Sequence, residues 1–205
     1  MKREYRFLFG TLAGIILGGG IVGLALLLPG YSHLRQTVSE IGEVGSPARI
    51  PFAVMLCVVG VCLLIFASAV REVLARAHHS QAAAYLIGCM ALSAAGVGVY
   101  AHPHHLHNIF GLSELIGYQA PMALAVTWRG EEGAKRMIAI SWVLYVVIMV
   151  AIALNLSPAM PSVWVHLKPL HGLLQRALFA AWFGWCGALS LSLYCRDREI
   201  TRKLQ

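Results

Sequence analysis

Six transmembrane helices in one all-α bundle are what this sequence predicts, and three observations predict them. Of the 205 residues 59% are hydrophobic and only 12% are charged, about half the charge of an ordinary soluble domain. The apolar residues fall into runs of about 20, enough to carry a helix across a hydrocarbon core roughly 30 Å thick. The runs are continuous rather than alternating, which excludes a membrane β-barrel. Spans are expected at about 7–28, 51–70, 82–101, 109–128, 136–156 and 171–194. They leave no room for a separate soluble domain, so residues 1–205 read as one transmembrane domain.

The first span follows the charged stretch Met1-Lys-Arg-Glu-Tyr-Arg6, which resembles the start of a signal peptide. Its apolar stretch is longer than a usual signal core, and no small-x-small cleavage site follows, so it reads as a retained helix. Gly10, Gly14 and Gly18, then Gly19 and Gly23, form small-xxx-small faces where another helix can come close. Between the first two spans, Leu34, Val38 and Ile41 stand at helical spacing. They predict a short amphipathic helix across the bundle mouth, ended by Gly42 or Gly45. Pro103 ends the third helix. With the fourth starting near His104, His107, Glu114 and Tyr118 share a face. Glu114 then sits about two turns inside the membrane, where an ionisable side chain faces the bundle interior or a cavity and needs a partner. Prolines 158, 161 and 169 predict a fixed, non-helical lid over 157–170, with Pro169 in the first turn of the last helix and Trp164 as an interfacial anchor. Arg176 enters the last helix to a depth similar to Glu114. A Glu114–Arg176 or Glu40–Arg176 ion pair is the expected way to accommodate these charges.

Charge sets the orientation. Of the 16 Lys and Arg, twelve flank one side of the spans: Lys2, Arg3, Arg6, Arg71, Arg76, Arg129, Lys135, Arg136, Arg196, Arg198, Arg202 and Lys203. Arg35, Arg49, Lys168 and Arg176 are the four on the other side. The positive-inside rule then places both termini in the cytoplasm, with the plasma membrane of a prokaryote as the expected location. The net charge of +7 is a topology signal that calls for no nucleic acid. Cys57, Cys62, Cys89, Cys186 and Cys195 lie in or at the ends of helices without a CxxC pair, so neither a disulfide nor a thiolate metal site is expected.

The outward segments hold the unusual chemistry. Seven of nine histidines (His33, His102, His104, His105, His107, His166 and His171) lie in or beside them, four within His102-Pro-His-His-Leu-His107. Imidazole suits zinc and other transition metals, and His33, His104, His107 and His171 are the candidate ligands. Ser39, Glu40 and Glu114 are candidate catalytic groups. Arg35, Arg176, Gln175, Lys168 and Tyr118 are candidate contacts for an anionic or polar ligand, with Trp164, Trp182 and Trp185 as walls. The expected function is binding of a small ligand, a lipid headgroup or a metal at the outer mouth. The alternatives are a metal-dependent hydrolase acting on an interfacial lipid through metal-bound water, and a structural or assembly subunit. Expected partners are membrane lipids and another membrane protein or a second copy of the chain.

Two stretches carry a resemblance. Tyr31-Ser-His-Leu-Arg-Gln-Thr-Val-Ser-Glu-Ile-Gly-Glu-Val-Gly-Ser-Pro47 resembles the first outer loop of the domain of unknown function 998 family. Gly172-Leu-Leu-Gln-Arg176, followed by Trp182 or Trp185, resembles its last helix. By that match Arg35, Ser39, Glu40, Gly42, Gln175 and Arg176 correspond to the family's polar motif positions. Many members have Phe-Pro and Asp-Pro-Gly pieces before a His after the third helix, where this chain has HPHHLHN. The resemblance implies a six-helix membrane architecture and candidate residues, and no activity.

Overall fold

A computed structural model describes residues 3–203, with side chains described from Glu4 to Asp197. Lys2, among the residues counted for orientation, lies outside the described residues, as do the side chains of Arg3, Arg198, Arg202 and Lys203. Six helices are long and apolar enough to cross a membrane. They are α1 (Glu4–Ala25), α2 (Arg49–Arg76), α3 (Ala82–Val99), α4 (His105–Thr127), α5 (Glu132–Ala159) and α6 (Pro161–Asp197). No strand occurs among the described residues. The chain is an integral membrane protein built as a helical bundle.

Each helix packs on its chain neighbours, and α6 closes the ring against α1. Several polar groups inside the ring bond across to a neighbouring helix, as hydrocarbon favours. Ser190 Oγ donates to the Phe7 carbonyl, and Trp185 Nε1 donates to Ser141 Oγ at 2.9 Å. Gly10 lies against the Phe66 ring and Gly20 against Met55, while Gly18, Gly19 and Gly23 face open space. The close approach therefore uses only part of the glycine pattern.

The span α4 is two helices in series, His105–Gly117 and Ala120–Thr127. Pro121 causes the break: it has no N–H to give the carbonyl of Gly117, and its ring crowds that turn. The freed Gly117 oxygen instead accepts from Trp182 Nε1 at 3.1 Å. The second half of α4 packs on α3 and α5, whereas the first half packs chiefly on α3. That leaves a gap towards α5 and α6.

Two expectations for the connecting segments are corrected. Residues 157–170 are helical, not a non-helical lid: the turn Ser157–Ala159, the helix Pro161–Leu167 and the turn Lys168–Leu170 follow one another. All three prolines sit in first-turn positions, where the missing N–H has no partner to lose. The first outer segment forms only one 3-10 turn, Ser39–Gly42, with Val38 and Ile41 buried and Leu34 exposed. The N–H groups of Ser32, Thr37 and Val38 bond instead to the side chains of Gln36, Glu40 and Gln175, which compete with helix formation.

Candidate functional site

The first site element is a clamp between the 31–42 segment and the start of α6. Gly172 permits it, because a Cβ there would lie 2.2 Å from the Gln36 carbonyl oxygen and 2.7 Å from that of His33. One turn later the Arg176 guanidinium donates through one nitrogen to the carbonyls of His33 (2.9 Å), Gln36 (2.8 Å) and Gly172 (2.8 Å). Its other terminal nitrogen donates to the Tyr31 hydroxyl at 2.6 Å, and that hydroxyl donates to the Thr37 carbonyl at 2.6 Å. Gln175 Oε1 accepts from the Val38 N–H at 2.6 Å, and Glu40 Oε2 accepts from the Thr37 N–H at 2.6 Å. Burial raises the Tyr31 phenol above its usual range, against the pull of Arg176. His33 is held below the ordinary histidine range by burial and then by Arg176.

This geometry replaces the expected ion pairs. Arg176 pairs with neither Glu40 nor Glu114; its charge is spent on carbonyl oxygens, which need a fork of donors rather than a counter-charge. Glu40 caps its own turn. Arg35 and Lys168 are exposed.

The second element is a cavity of about 630 Å³ enclosed by all six helices. Its wall is mostly apolar, with Leu17, Phe52, Leu56, Met90, Leu178 and Phe179 among its residues. Ser39, His107, Glu114, Tyr118 and Gln175 supply polar atoms, with Asn108 and Asn155 beside them. His107, Glu114 and Tyr118 do share the inward face of α4, and the Tyr118 hydroxyl donates to Glu114 at 3.1 Å. Among the described residues no other hydrogen bond or ion pair to the Glu114 carboxylate occurs. Leu112, 61% exposed, and Leu156, 49% exposed, also line the cavity, so it is reached sideways between α4 and α5.

At the upper wall His107 is buried, only 6% exposed. Its Nδ1 lies 2.8 Å from the Tyr100 carbonyl and 3.2 Å from that of Val97, and its Nε2 lies 3.0 Å from Ser39 Oγ. The spacing of His107, Glu114 and Tyr118 was visible in the sequence. The Ser39–His107 contact was not, because 68 residues separate the partners.

The histidines do not gather as expected. His104 caps α4 through its ring and stacks on Tyr100, His33 packs edge-on against Tyr31, and His171 packs against Trp164. Among the described residues no group of three or more His, Cys, Asp or Glu is placed to hold a metal ion. The four candidate ligands are thus separated by their own local partners. Trp182 and Trp185 are not cavity walls either; both are fully buried in the packed part of the bundle.

Six helices long and apolar enough to cross a membrane, packed as one bundle, define a polytopic integral membrane protein. The chain belongs to the domain of unknown function 998 family, whose model, described as Protein of unknown function (DUF998), matches residues 11–192. No curated protein and no solved structure matches the chain. In this chain Gly172 makes room for the Tyr31–Gly42 segment, and Gln175 and Arg176 hold its backbone.

Proposed function

We propose that this chain is a lipid-binding membrane protein that takes the apolar chain of an amphiphile sideways into its cavity. The carrying observation is the cavity: about 630 Å³, mostly apolar, with its few polar groups converging from α4, α6 and the first loop. That volume and lining are those of sites for small organic ligands. The half-exposed Leu112 and Leu156 support an entrance on the lipid-facing side of the bundle. Glu114, held among the described residues by a phenol alone, favours a ligand that brings a hydrogen-bond donor to it. The excess of Lys and Arg at the opposite end supports an outside position for Ser39 and His107 and a cytoplasmic position for both termini. The ligand is then a lipid of the outer leaflet.

Gly111 provides the test. It lines the cavity, and a Cβ there would meet no atom within 4 Å. Gly111→Phe should fill the void without moving the backbone. Gly184, equally open but not in the cavity wall, is the control. Native mass spectrometry of the parent, extracted in mild detergent and offered a phospholipid, should show one retained lipid per chain. The Gly184→Phe variant should retain it and Gly111→Phe should not. A parent that retains none, or a Gly111→Phe variant that retains as much as the parent, would sink the reading.

A further inference from the structure

We propose that Ser39 and His107 form a nucleophile–base pair that cleaves a fatty-acyl ester held in the cavity, an inference that rests on the lipid-binding reading above. The argument begins with the tautomer of His107. Carbonyl oxygens only accept, so Nδ1, in reach of the Tyr100 and Val97 carbonyls, must carry the ring proton. In the neutral ring Nε2 is then an acceptor, and Ser39 O–H donates to it across 3.0 Å. This is the polarity a serine nucleophile needs: its proton already points at a base whose other nitrogen is fixed by a third group. The two carbonyls orient the ring without contributing a charge, so they are positioning groups.

Location supports a chemical role over a fastening one. Both residues line the cavity, so a carbonyl at the polar end of an inserted acyl chain can reach Ser39 Oγ. The loop that carries Ser39 is already held by Arg176, Gln175, Glu40 and Tyr31. A further bond from Ser39 to α4 is not needed to keep it in place. Asn108 and Gln175 belong to the same lining and carry amide N–H groups, the kind of donor that stabilises a developing oxyanion.

The step is balanced with water as the only co-reactant. Ser39 Oγ adds to the ester carbonyl carbon as its proton moves to His107 Nε2. The carbon–oxygen bond to the alcohol breaks, and the Nε2 proton passes to the departing oxygen. Water then adds to the acyl-serine carbon and gives a proton to Nε2. The bond from that carbon to Oγ breaks, and the proton returns to Oγ. An ester and water become a carboxylic acid and an alcohol.

A long-chain alkyl fluorophosphonate, applied to the full-length protein in lipid nanodiscs, tests the pair. Intact mass and peptide mapping should show one adduct, on Ser39, absent in Ser39→Ala. Labelling of the parent should rise with pH as His107 loses its proton, a profile that needs no variant to fold. In His107→Gln labelling should slow by about 100-fold or more and lose that pH dependence. Lipid retention is measured on the same samples. Retained lipid without a Ser39 adduct overturns the ester-cleavage pair and leaves the lipid-binding reading standing. A Ser39 adduct without retained lipid supports the pair while the binding reading falls. An adduct that forms as fast in His107→Gln as in the parent overturns the role of His107 as base.

Discussion

In the half of the bundle nearest Glu4 and Asp197, Phe7, Leu63, Phe66, Leu74, Trp185 and Leu189 are each at most 1% exposed, and the cavity beside Phe7, Trp128 and Leu193 is small, about 210 Å³. In the half nearest Ser39 and His107 the same helices surround a void of about 630 Å³. Composition does not separate the halves, since both are rich in Leu, Val, Ala and Phe. The difference lies in two devices. Pro121 breaks α4, and the freed Gly117 carbonyl is tied to Trp182, so the first half of α4 stays with α3 instead of closing on α5 and α6. The clamp centred on Arg176 then holds the first loop against α6 at the hollow end. One half is held by packing, which in lipid is the main force between helices. The other is held by hydrogen bonds at its rim, around an interior that the side chains leave open.

The comparison breaks most visibly at matched leucines. Leu63→Ala, in the packed half, should cost about 3–5 kcal/mol, the range for truncating a buried leucine with no room to relax. Leu56→Ala, two turns away but on the cavity wall, should cost about 1–2 kcal/mol less, because that side chain already lacks neighbours on one side. Unfolding in mixed micelles measures both, and equal costs would erase the distinction between the halves. At the rim, Arg176→Leu should cost about 3 kcal/mol by stranding the carbonyls it now bonds. Trypsin should then cut more readily at exposed Arg35, with Arg176→Lys intermediate because an ammonium cannot fork.

Gly172→Ala comes next. Its new Cβ, 2.2 Å from the Gln36 oxygen, should loosen the same loop at a cost of about 1–3 kcal/mol, seen as faster amide hydrogen exchange over residues 31–42. If exchange is unchanged there, the clamp does not govern the rim. The smallest effect is in pH. The fold holds His33 below its ordinary value of 6.5, so the unfolded chain takes up a proton first as the pH falls. His33 therefore favours the folded state fully above that range, and this contribution fades as the pH drops through 6.5. His33→Gln should remove a small part of the decline in melting temperature between pH 7 and pH 5.

Much of the fold was legible because hydrocarbon is a strict solvent: a run of apolar residues long enough to span it must be a helix. The interruption of α4 was less so, since Pro121 marks a break but not the partner that makes it tolerable. The non-glycine end of α2 carries no sequence signal either. His78 there adopts a left-handed conformation (φ 54°) while the His79 N–H bonds the Leu74 carbonyl. For the site, the face shared by His107, Glu114 and Tyr118 follows from spacing alone. Arg176 was recognisable as important but its partner was misjudged, because a half-buried guanidinium can turn to backbone carbonyls that no residue type announces. The histidine-rich hexapeptide misled for a related reason. A histidine finds its partner through either ring nitrogen or its aromatic face, and here His104 and His107 each found a local one.

By itself the sequence determined six helices, their order and the charge asymmetry between the two ends, since each follows from local composition and helical period. Only the tertiary structure decided that Ser39 meets His107, that Arg176 holds a loop rather than a carboxylate, and that one half of the bundle is hollow. Each of these depends on where segments distant in the chain come to rest. That is governed by side-chain volumes, by one broken turn at Pro121 and by the close approach at Gly172, and no single stretch of sequence records it.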